Sequence, residues 1–201
     1  MGLEEILILE EPVEVWKDVK GRNVLGKFYE NPKRYAFQMQ SLVQLTLLRQ
    51  HVQQEKSRPG ISIQERSLFS SFHVFKRELE GDGLLTETEV RILEEGFEFL
   101  TSGEIGDFGA DLIIYLRTDP KVALSRVRER GRKEEKGINL KKLESLHRCY
   151  EDWLINKGGK KHPEKILVVE ANGDKVKMEE EFHKVWEFIA RAKGERKDGG
   201  V

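Results

Sequence analysis

The stretch ILILEEPVEVW, residues 6–16, joins a short apolar run to charged residues that follow it directly. Three further apolar runs of this kind occur at residues 61–63, 112–116 and 166–169. Short, almost continuous apolar runs are typical of strands that are buried on both faces, as in a parallel sheet. Helical patterns separate the four runs, and this alternation predicts an α/β fold.

The predicted helices carry recognisable start signals in front of their apolar-periodic stretches. A side-chain oxygen at the N-cap can accept from a free amide of the first turn, and proline suits the first helical position. The predicted starts are Asn31-Pro32, the capping box from Thr86 to Glu89, Asp119-Pro120, and Asn139.

Composition places the chain among globular proteins and excludes some partners. The 201 residues suffice for one domain with a core, and 35 basic and 36 acidic residues leave a net charge of -1. A whole-protein basic field is therefore absent, and we expect no nucleic-acid partner. No apolar run approaches the ~20 residues of a membrane span, so no membrane partner is expected either. The first five residues resemble no targeting segment, and the predicted compartment is the cytoplasm or the mitochondrion.

Charged residues follow each of the four predicted strands. They are Glu10-Glu11 after the first, Glu65-Arg66 after the second, Arg117 and Asp119 after the third, and Glu170 after the fourth. In open parallel sheets, ligands bind beyond the carboxyl ends of the strands. The residues alone leave two interpretations open, a ligand site at these ends or charges that only mark where strands meet water.

Six blocks, in order, resemble the motifs of the deoxyribonucleoside kinase family. They include its Glu-Pro-Val-x-x-Trp and Glu-Arg-Ser motifs, and residues 43–46 favour the branch of insect multisubstrate and mitochondrial thymidine enzymes. The resemblance implies an α/β, P-loop-kinase-like parallel sheet flanked by helices, with residues 1–192 as the kinase domain and 193–201 as a flexible tail. The blocks are residues 11–16, 28–32 with 38–41, 65–70, 111–118, 126–135, and 146–154.

The resemblance implies transfer of the γ-phosphate of ATP to the 5′-hydroxyl of a deoxynucleoside, with Mg²⁺ as the metal. It assigns Glu11 as the general base, Arg66 as the cation near the 5′-hydroxyl, and Glu65 as the acid associated with Mg²⁺. Such a reaction needs a base, cations around the phosphates and a metal ion. Members of the family are typically dimeric, so a homodimer is expected by analogy.

The resemblance also implies a nucleoside site. Trp16 and Phe75 would flank the base, Gln40 would read its edge, and aromatic stacking on a base is worth ~1–3 kcal/mol. We expect a pyrimidine deoxynucleoside because no charged residue stands at the positions that vary around the base. The remaining assignments are Tyr29 and Glu135 to the sugar 3′-hydroxyl, and Leu47 and Ser71 to the space around the base.

Alternating arginines at 126–132 form a further candidate element. An arginine at every second position is ordinarily a solvated surface, and this alternative stays open on the residues alone. The resemblance favours a flexible lid in which Arg128, Arg130 and Arg132 contact phosphates.

The family's phosphate loop, G-x-x-x-x-G-K-[ST], has no match in the 201 residues. Residues 21–27 fit the spacing as far as Gly-Lys, but Phe28 then stands where a hydroxyl is needed. We expect a sheet that lacks the family's first strand, phosphate loop and first helix. The chain is then either a kinase whose ATP site is incomplete or a non-catalytic nucleoside-binding or regulatory partner of a full-length kinase.

Overall fold

Four strands form the sheets of this protein in a computed structural model that describes residues 6–57, 60–104, 108–156 and 165–198. The strands are β1 (Ile6–Leu9), β2 (Ile61–Gln64), β3 (Ile113–Arg117) and β4 (Ile166–Glu170). Each lies within a residue of the apolar run that predicted it. The prediction of four short strands is thus confirmed.

The strands pair in parallel as two separate ladders. β1 pairs with β2, with Ile6 opposite Ile61, and β3 pairs with β4, with Ile113 opposite Ile166. Among the described residues, β2 and β3 have a ladder partner on one side only. The α/β class and the parallel pairing predicted from the sequence are confirmed.

Helices connect and flank the strands. The long helix α3 precedes β2, and a helix interrupted by a π-helical turn at Ser71–Lys76 follows it. A 3₁₀ turn at Lys133–Gly137 links α7 to α8. The α-helices are α1 (Val13–Lys17), α2 (Val24–Glu30), α3 (Pro32–Ser57), α4 (Leu68–Ser70), α5 (Arg77–Gly81), α6 (Glu87–Leu100), α7 (Pro120–Arg130), α8 (Leu140–Leu154) and α9 (Lys175–Asp198).

The predicted caps form. Asn31 Oδ1 accepts from Arg34 N at 3.2 Å, and Thr86 makes the reciprocal capping box with Glu89. Asp119 and Asn139 likewise accept from first-turn amides at the starts of α7 and α8. These bonds satisfy amides that a helix start leaves without partners.

Two of the core clusters lie on opposite faces of the β3–β4 pair. Tyr115 packs with Cys149 and Trp153 of α8 on one face, and Val169 packs with Met178 of α9 on the other. Burial raises the pKa of the Cys149 thiol. The β1–β2 pair differs, because one face of β1 is open.

The open face of β1 is apolar. Ile8 is 67% exposed and Ile6 is 42% exposed, although strands of parallel sheets are ordinarily covered on both faces.

No helix in the described part of the chain is long and apolar enough to cross a membrane. α9 runs to Asp198, so helical backbone extends into the tail predicted after residue 192.

Candidate functional site

The carboxyl ends of β1 and β2 bring an acid and a cation together. Glu11 follows β1, Arg66 follows β2, and the parallel pairing continues past the strands, with Glu65 N donating to Leu9 O at 2.8 Å. The Arg66 guanidinium is in contact with the Glu11 carboxylate. Arg66 also has a left-handed backbone with φ 65°, an uncommon state for a residue other than glycine and one that concentrates at functional sites.

Glu11 is a buried carboxylate with a raised proton affinity. Its side chain is 10% exposed, and burial raises its pKa while the charge of Arg66 opposes that rise. The charge of Glu65 raises the pKa further, and those of Arg132 and Arg130 lower it. Glu11 Oε1 is the oxygen that the Arg66 guanidinium contacts, and this atom is buried.

Phe75 supports the cation of this pair. The Arg66 guanidinium lies 4.2 Å from the centroid of the Phe75 ring, within the range of a cation–π contact. Phe75 lies next to the cluster of β3 and α8, whereas Trp16 belongs to the cluster of α1, α2 and α3. The two rings predicted to flank a base thus belong to different parts of the core.

Gln40 and Ser71 are joined in the interior. Gln40 is 2% exposed, and its Nε2 donates to Ser71 O at 3.0 Å and to Ser71 Oγ at 2.7 Å. A carbonyl oxygen only accepts, so this contact fixes the amide nitrogen of Gln40 towards Ser71 and its Oε1 away from it. Gln40 can therefore present an oriented acceptor to a base.

Tyr29 and Glu135 lie in one electrostatic cluster with Arg130 and Arg132, two arginines of the predicted lid. Arg130 donates to Glu135 at 2.7 Å and Arg132 donates to it at 3.2 Å. Burial and the nearby Glu135 carboxylate raise the pKa of Tyr29 to about 12. The charges of Glu11 and Arg66 act on the same phenol, so the predicted sugar and catalytic residues lie together.

The remaining predicted residues differ in burial, since some lie in the core and others on the surface. Trp16 is buried and its Nε1 donates to Thr46 at 3.0 Å, and Leu47 is buried as well. Arg128 is exposed on the last turn of α7. Arg126, the first of the alternating arginines, donates to the carbonyls of the β4–α9 loop instead.

The donor set suits a weakly held divalent cation. Glu65 is exposed at the end of β2, close enough to Glu11 for its charge to raise that pKa. Mg²⁺ keeps several waters and needs only one or two protein carboxylates, so these acids fit it. Among the described residues, no group of three or more metal-binding side chains forms a closed cage.

A polar network at β3 was not predicted. Glu151 on α8 accepts from Tyr115 at 2.9 Å and receives two bonds from Arg117, at 3.0 and 2.6 Å. Tyr150, its neighbour, stacks on Tyr115 with ring centroids 5.6 Å apart. The sequence indicates Arg117 only as a strand-end charge, and no local pattern pairs it with Glu151, 34 positions further on.

Parallel strands with a buried acid and a cation at their carboxyl ends place this cluster where ligands bind in proteins of the α/β class. A sequence model of the family "Deoxynucleoside kinase" matches residues 3–192. The chain belongs to this family.

Curated relatives include "Thymidine kinase 2, mitochondrial" of Homo sapiens, 35% identical over 178 residues, and that of Macaca fascicularis, 36% identical over 168 residues. These alignments cover 89% and 84% of this chain and 66% and 62% of the relatives. A probable deoxycytidine kinase of Fowlpox virus is 34% identical over 83% of this chain and 68% of its own length. The chain thus spans about two thirds of the length of these relatives.

Proposed function

We propose that this chain is a deoxynucleoside kinase that transfers the γ-phosphoryl group of ATP to the 5′-hydroxyl of a pyrimidine deoxynucleoside. The observation that carries the proposal is the pair of Glu11 and Arg66 at the carboxyl ends of β1 and β2. A largely buried carboxylate beside a cation can take the proton of a substrate hydroxyl. The relatives, named as thymidine and deoxycytidine kinases, support the same substrate class.

Glu11 acts as the general base in this proposal. Its raised pKa increases its affinity for the proton of the 5′-hydroxyl, and Arg66 keeps the carboxylate ionised and oriented. Phosphoryl transfer is mostly a matter of positioning and charge stabilisation. The protein's task is therefore to hold the hydroxyl in line with the phosphate and to surround the developing charge with cations.

Nucleoside recognition in this proposal uses Gln40 for the base, and Tyr29 with Glu135 for the sugar. Gln40, oriented by Ser71, offers its Oε1 to a donor on the base edge, such as the N3–H of thymine or the amino group of cytosine. Tyr29 and Glu135 bind the 3′-hydroxyl, and a protonated phenol beside a carboxylate supplies one donor and one acceptor. Leu47 and Ser71 limit the space beside the base.

The lid arginines serve the phosphates. Arg130 and Arg132 are both paired with Glu135, and Arg128 is exposed. When the lid closes, a phosphate can therefore replace Glu135 as the partner of Arg130 and Arg132, or bind beside it. ATP supplies the transferred group, and Glu65 is the residue that would hold Mg²⁺ through water. Guanidinium groups suit phosphate oxygens because their donors are fixed in a fork.

The second candidate is a non-catalytic nucleoside-binding or regulatory partner of a full-length kinase, which would need no G-x-x-x-x-G-K-[ST] phosphate loop of its own. Backbone amides of that loop would otherwise cradle the phosphates. Both candidates predict nucleoside binding, but they differ in turnover.

The deciding experiment compares this chain with a form that carries a family strand, phosphate loop and helix in front of it. Phosphorylation of thymidine and deoxycytidine is measured with ATP and Mg²⁺, and nucleoside binding is measured by calorimetry. Turnover by the extended form with Glu11 intact supports the kinase. Binding without turnover in both forms supports the non-catalytic candidate, and no nucleoside binding in either contradicts both.

We further propose that the protein forms a homodimer through exposed apolar residues of α3 and α6. Leu45 and Val52 on α3, and Ile92 and Phe99 on α6, are each seven residues apart and 43–54% exposed. The helices adjoin, since Gln44 Nε2 donates to Leu93 O at 3.4 Å. Adjoining apolar stripes form one continuous face, which is typical of an interaction site.

The names of the relatives support a proposal for the compartment of this chain. The primate relatives are named as mitochondrial proteins. We propose the mitochondrion or the cytoplasm for this chain, and fractionation of cells that express the untagged native gene distinguishes the two.

A further inference from the structure

A row of aromatic rings connects β3 to the catalytic pair. Tyr115 on β3 stacks on Tyr150 of α8, with centroids 5.6 Å apart and an interplanar angle of 16°. Tyr150 meets Phe75 edge to face, with centroids 6.4 Å apart and an angle of 88°. Phe75 in turn carries the guanidinium of Arg66, which contacts Glu11. One series of contacts thus joins β3, α8, the π-helical turn and the carboxyl ends of β2 and β1.

The far end of this row is anchored by ionic hydrogen bonds. The Tyr115 hydroxyl donates to Glu151 Oε1 at 2.9 Å, and Arg117 donates to both carboxylate oxygens of Glu151. Bidentate arginine–carboxylate pairs add geometric specificity to their energy. Because Glu151 directly follows Tyr150, this anchor fixes the part of α8 that presents the Tyr150 ring.

Arg66 needs such support. Its guanidinium is at the end of a long side chain that is 39% exposed, and such a side chain has many rotamers in solution. The Phe75 ring gives it a flat surface, and an edge-to-face neighbour keeps that ring from turning away. We propose that Tyr150 is a positioning residue that holds Phe75, and through it the Arg66 guanidinium, beside the Glu11 carboxylate.

The surroundings of the Tyr150 hydroxyl agree with this role. Burial raises the pKa of the phenol, and the charges of Arg66, Glu11 and Glu65 act on it as well. A ring that served only the core between β3 and α8 would lie away from those charges. Tyr150 instead lies where that core meets the catalytic cluster.

The proposal depends on the proposed function only for the importance of the Glu11–Arg66 pair. It is tested on the 201-residue chain without turnover, by NMR of the Arg66 Nε–Hε resonance. That resonance is assigned by its loss in Arg66→Lys. Protons that lie over an aromatic ring are shifted upfield, so the shift reports the contact between Arg66 and Phe75.

We expect Tyr150→Leu to lose most of the upfield shift and Tyr150→Phe, which keeps the ring, to retain it. Leu93→Ala, a deletion in a separate core cluster, is the control for general loosening and should leave the shift unchanged. A folded Tyr150→Leu variant with the wild-type shift overturns the proposal. So does a loss of the shift that Leu93→Ala reproduces.

If Tyr150→Leu does not fold, Glu151→Gln provides the second test. It keeps every ring and weakens only the anchor, so a smaller loss of the same upfield shift is expected. An unchanged Arg66 resonance in Glu151→Gln then overturns the proposal. If the loop-bearing form fails to phosphorylate nucleosides while the 201-residue chain shows these shifts, the proposed function is contradicted and the role of Tyr150 stays intact.

Discussion

At the scale of single residues, Glu11 concentrates the proposed chemistry. Its carboxylate is buried, its pKa is raised by that burial, and Arg66 is its immediate cation. The strand ends predicted an acid and a cation at one edge of the sheet, because parallel strands end together. The burial of Glu11 depends on residues far away in sequence and could not be predicted from the local pattern.

Replacement of Glu11 by Gln should lower kcat in an active, loop-bearing form by roughly 10²–10⁴-fold, the usual contribution of a general base. Nucleoside affinity should change little, because Gln keeps the shape. In the parent, turnover should fall as pH drops through the raised pKa of Glu11, above the ordinary range for a carboxyl group. Steady-state kinetics and calorimetry measure both quantities.

Glu14→Gln is the matched control for this prediction. Glu14 lies three residues further on, and its side chain is 85% exposed, so its loss should leave kcat unchanged. An unaltered kcat in Glu11→Gln would remove Glu11 from the role of base.

A second prediction concerns Gln40. Gln40→Leu should weaken thymidine binding by roughly tenfold or more, since the base edge loses its partner and Ser71 loses its donor. Ser71→Ala removes one of the two bonds to Gln40, worth about 0.5–1.5 kcal/mol, and should weaken binding two- to tenfold. Calorimetric Kd values decide, with the exposed Gln38→Leu as control. Equal affinities in all three variants would contradict the assignment of Gln40 to the base.

At the scale of elements, helix starts and the π-helical turn contrast in how well the sequence predicts them. Caps at Asn31, Thr86, Asp119 and Asn139 involve neighbours two or three residues away, so local spacing suffices. The turn at Ser71–Lys76 has no such local signal, because its backbone depends on the helices packed around it. π-helical turns are frequent at functional sites, and this one carries both Ser71 and Phe75.

The π-helical turn also contains a half-buried histidine, His73, that should make stability depend on pH. Burial, with the positive charges of Arg77 and Lys76, lowers the pKa of His73 to about 4 from 6.5. The unfolded chain therefore takes up a proton first as pH falls. Stability due to neutral His73 is complete above pH 6.5 and is lost progressively towards pH 4.

His73→Phe keeps an aromatic ring stacked on Trp153. Between pH 6.5 and 4 this variant should lose about 1–2 kcal/mol less unfolding free energy than the parent. The figure is reduced for solvent screening because His73 is partly exposed. Urea unfolding at pH 7 and pH 5 measures the difference. The exposed His183→Gln serves as control. The same pH dependence in His73→Phe and the parent would show that another group is responsible.

The lid gives a further prediction at this scale. Replacement of Arg130 and Arg132 by Ala should raise the KM for ATP and lower kcat in a loop-bearing form, because two cations near the phosphates are lost. Arg148→Ala, an exposed arginine on α8, should have no such effect. Normal ATP kinetics in the double variant would mean that these arginines are ordinary solvated surface residues and do not contact phosphates.

At the scale of the whole molecule, the proposed dimer is open to direct test. Phe99→Glu on α6 should shift the protein towards the monomer in sedimentation velocity, because a charge would be buried in an apolar contact. Val176→Glu on α9, at a position 67% exposed, should leave the assembly unchanged. A parent protein that sediments as a monomer at micromolar concentration would exclude the proposed interface.

The parallel fold follows from four apolar runs, but the arrangement of the site required the structure. Glu11 and Arg66 were placed at one edge by strand order alone. The Gln40–Ser71 bond and the row from Tyr115 to Phe75 join residues that are more than thirty positions apart, and sequence separation of that size hides them from any local pattern.

Cys149 on α8, the single cysteine of the sequence, can report on the opening of that helix. Cys149 immediately precedes Tyr150, is buried against β3, and has a raised pKa, so little reactive thiolate is available while that helix stays in place. Alkylation of the chain therefore requires α8 to detach from the sheet. The rate of Cys149 alkylation, followed by mass spectrometry, therefore reports how often α8 opens, and the measurement needs no engineered label.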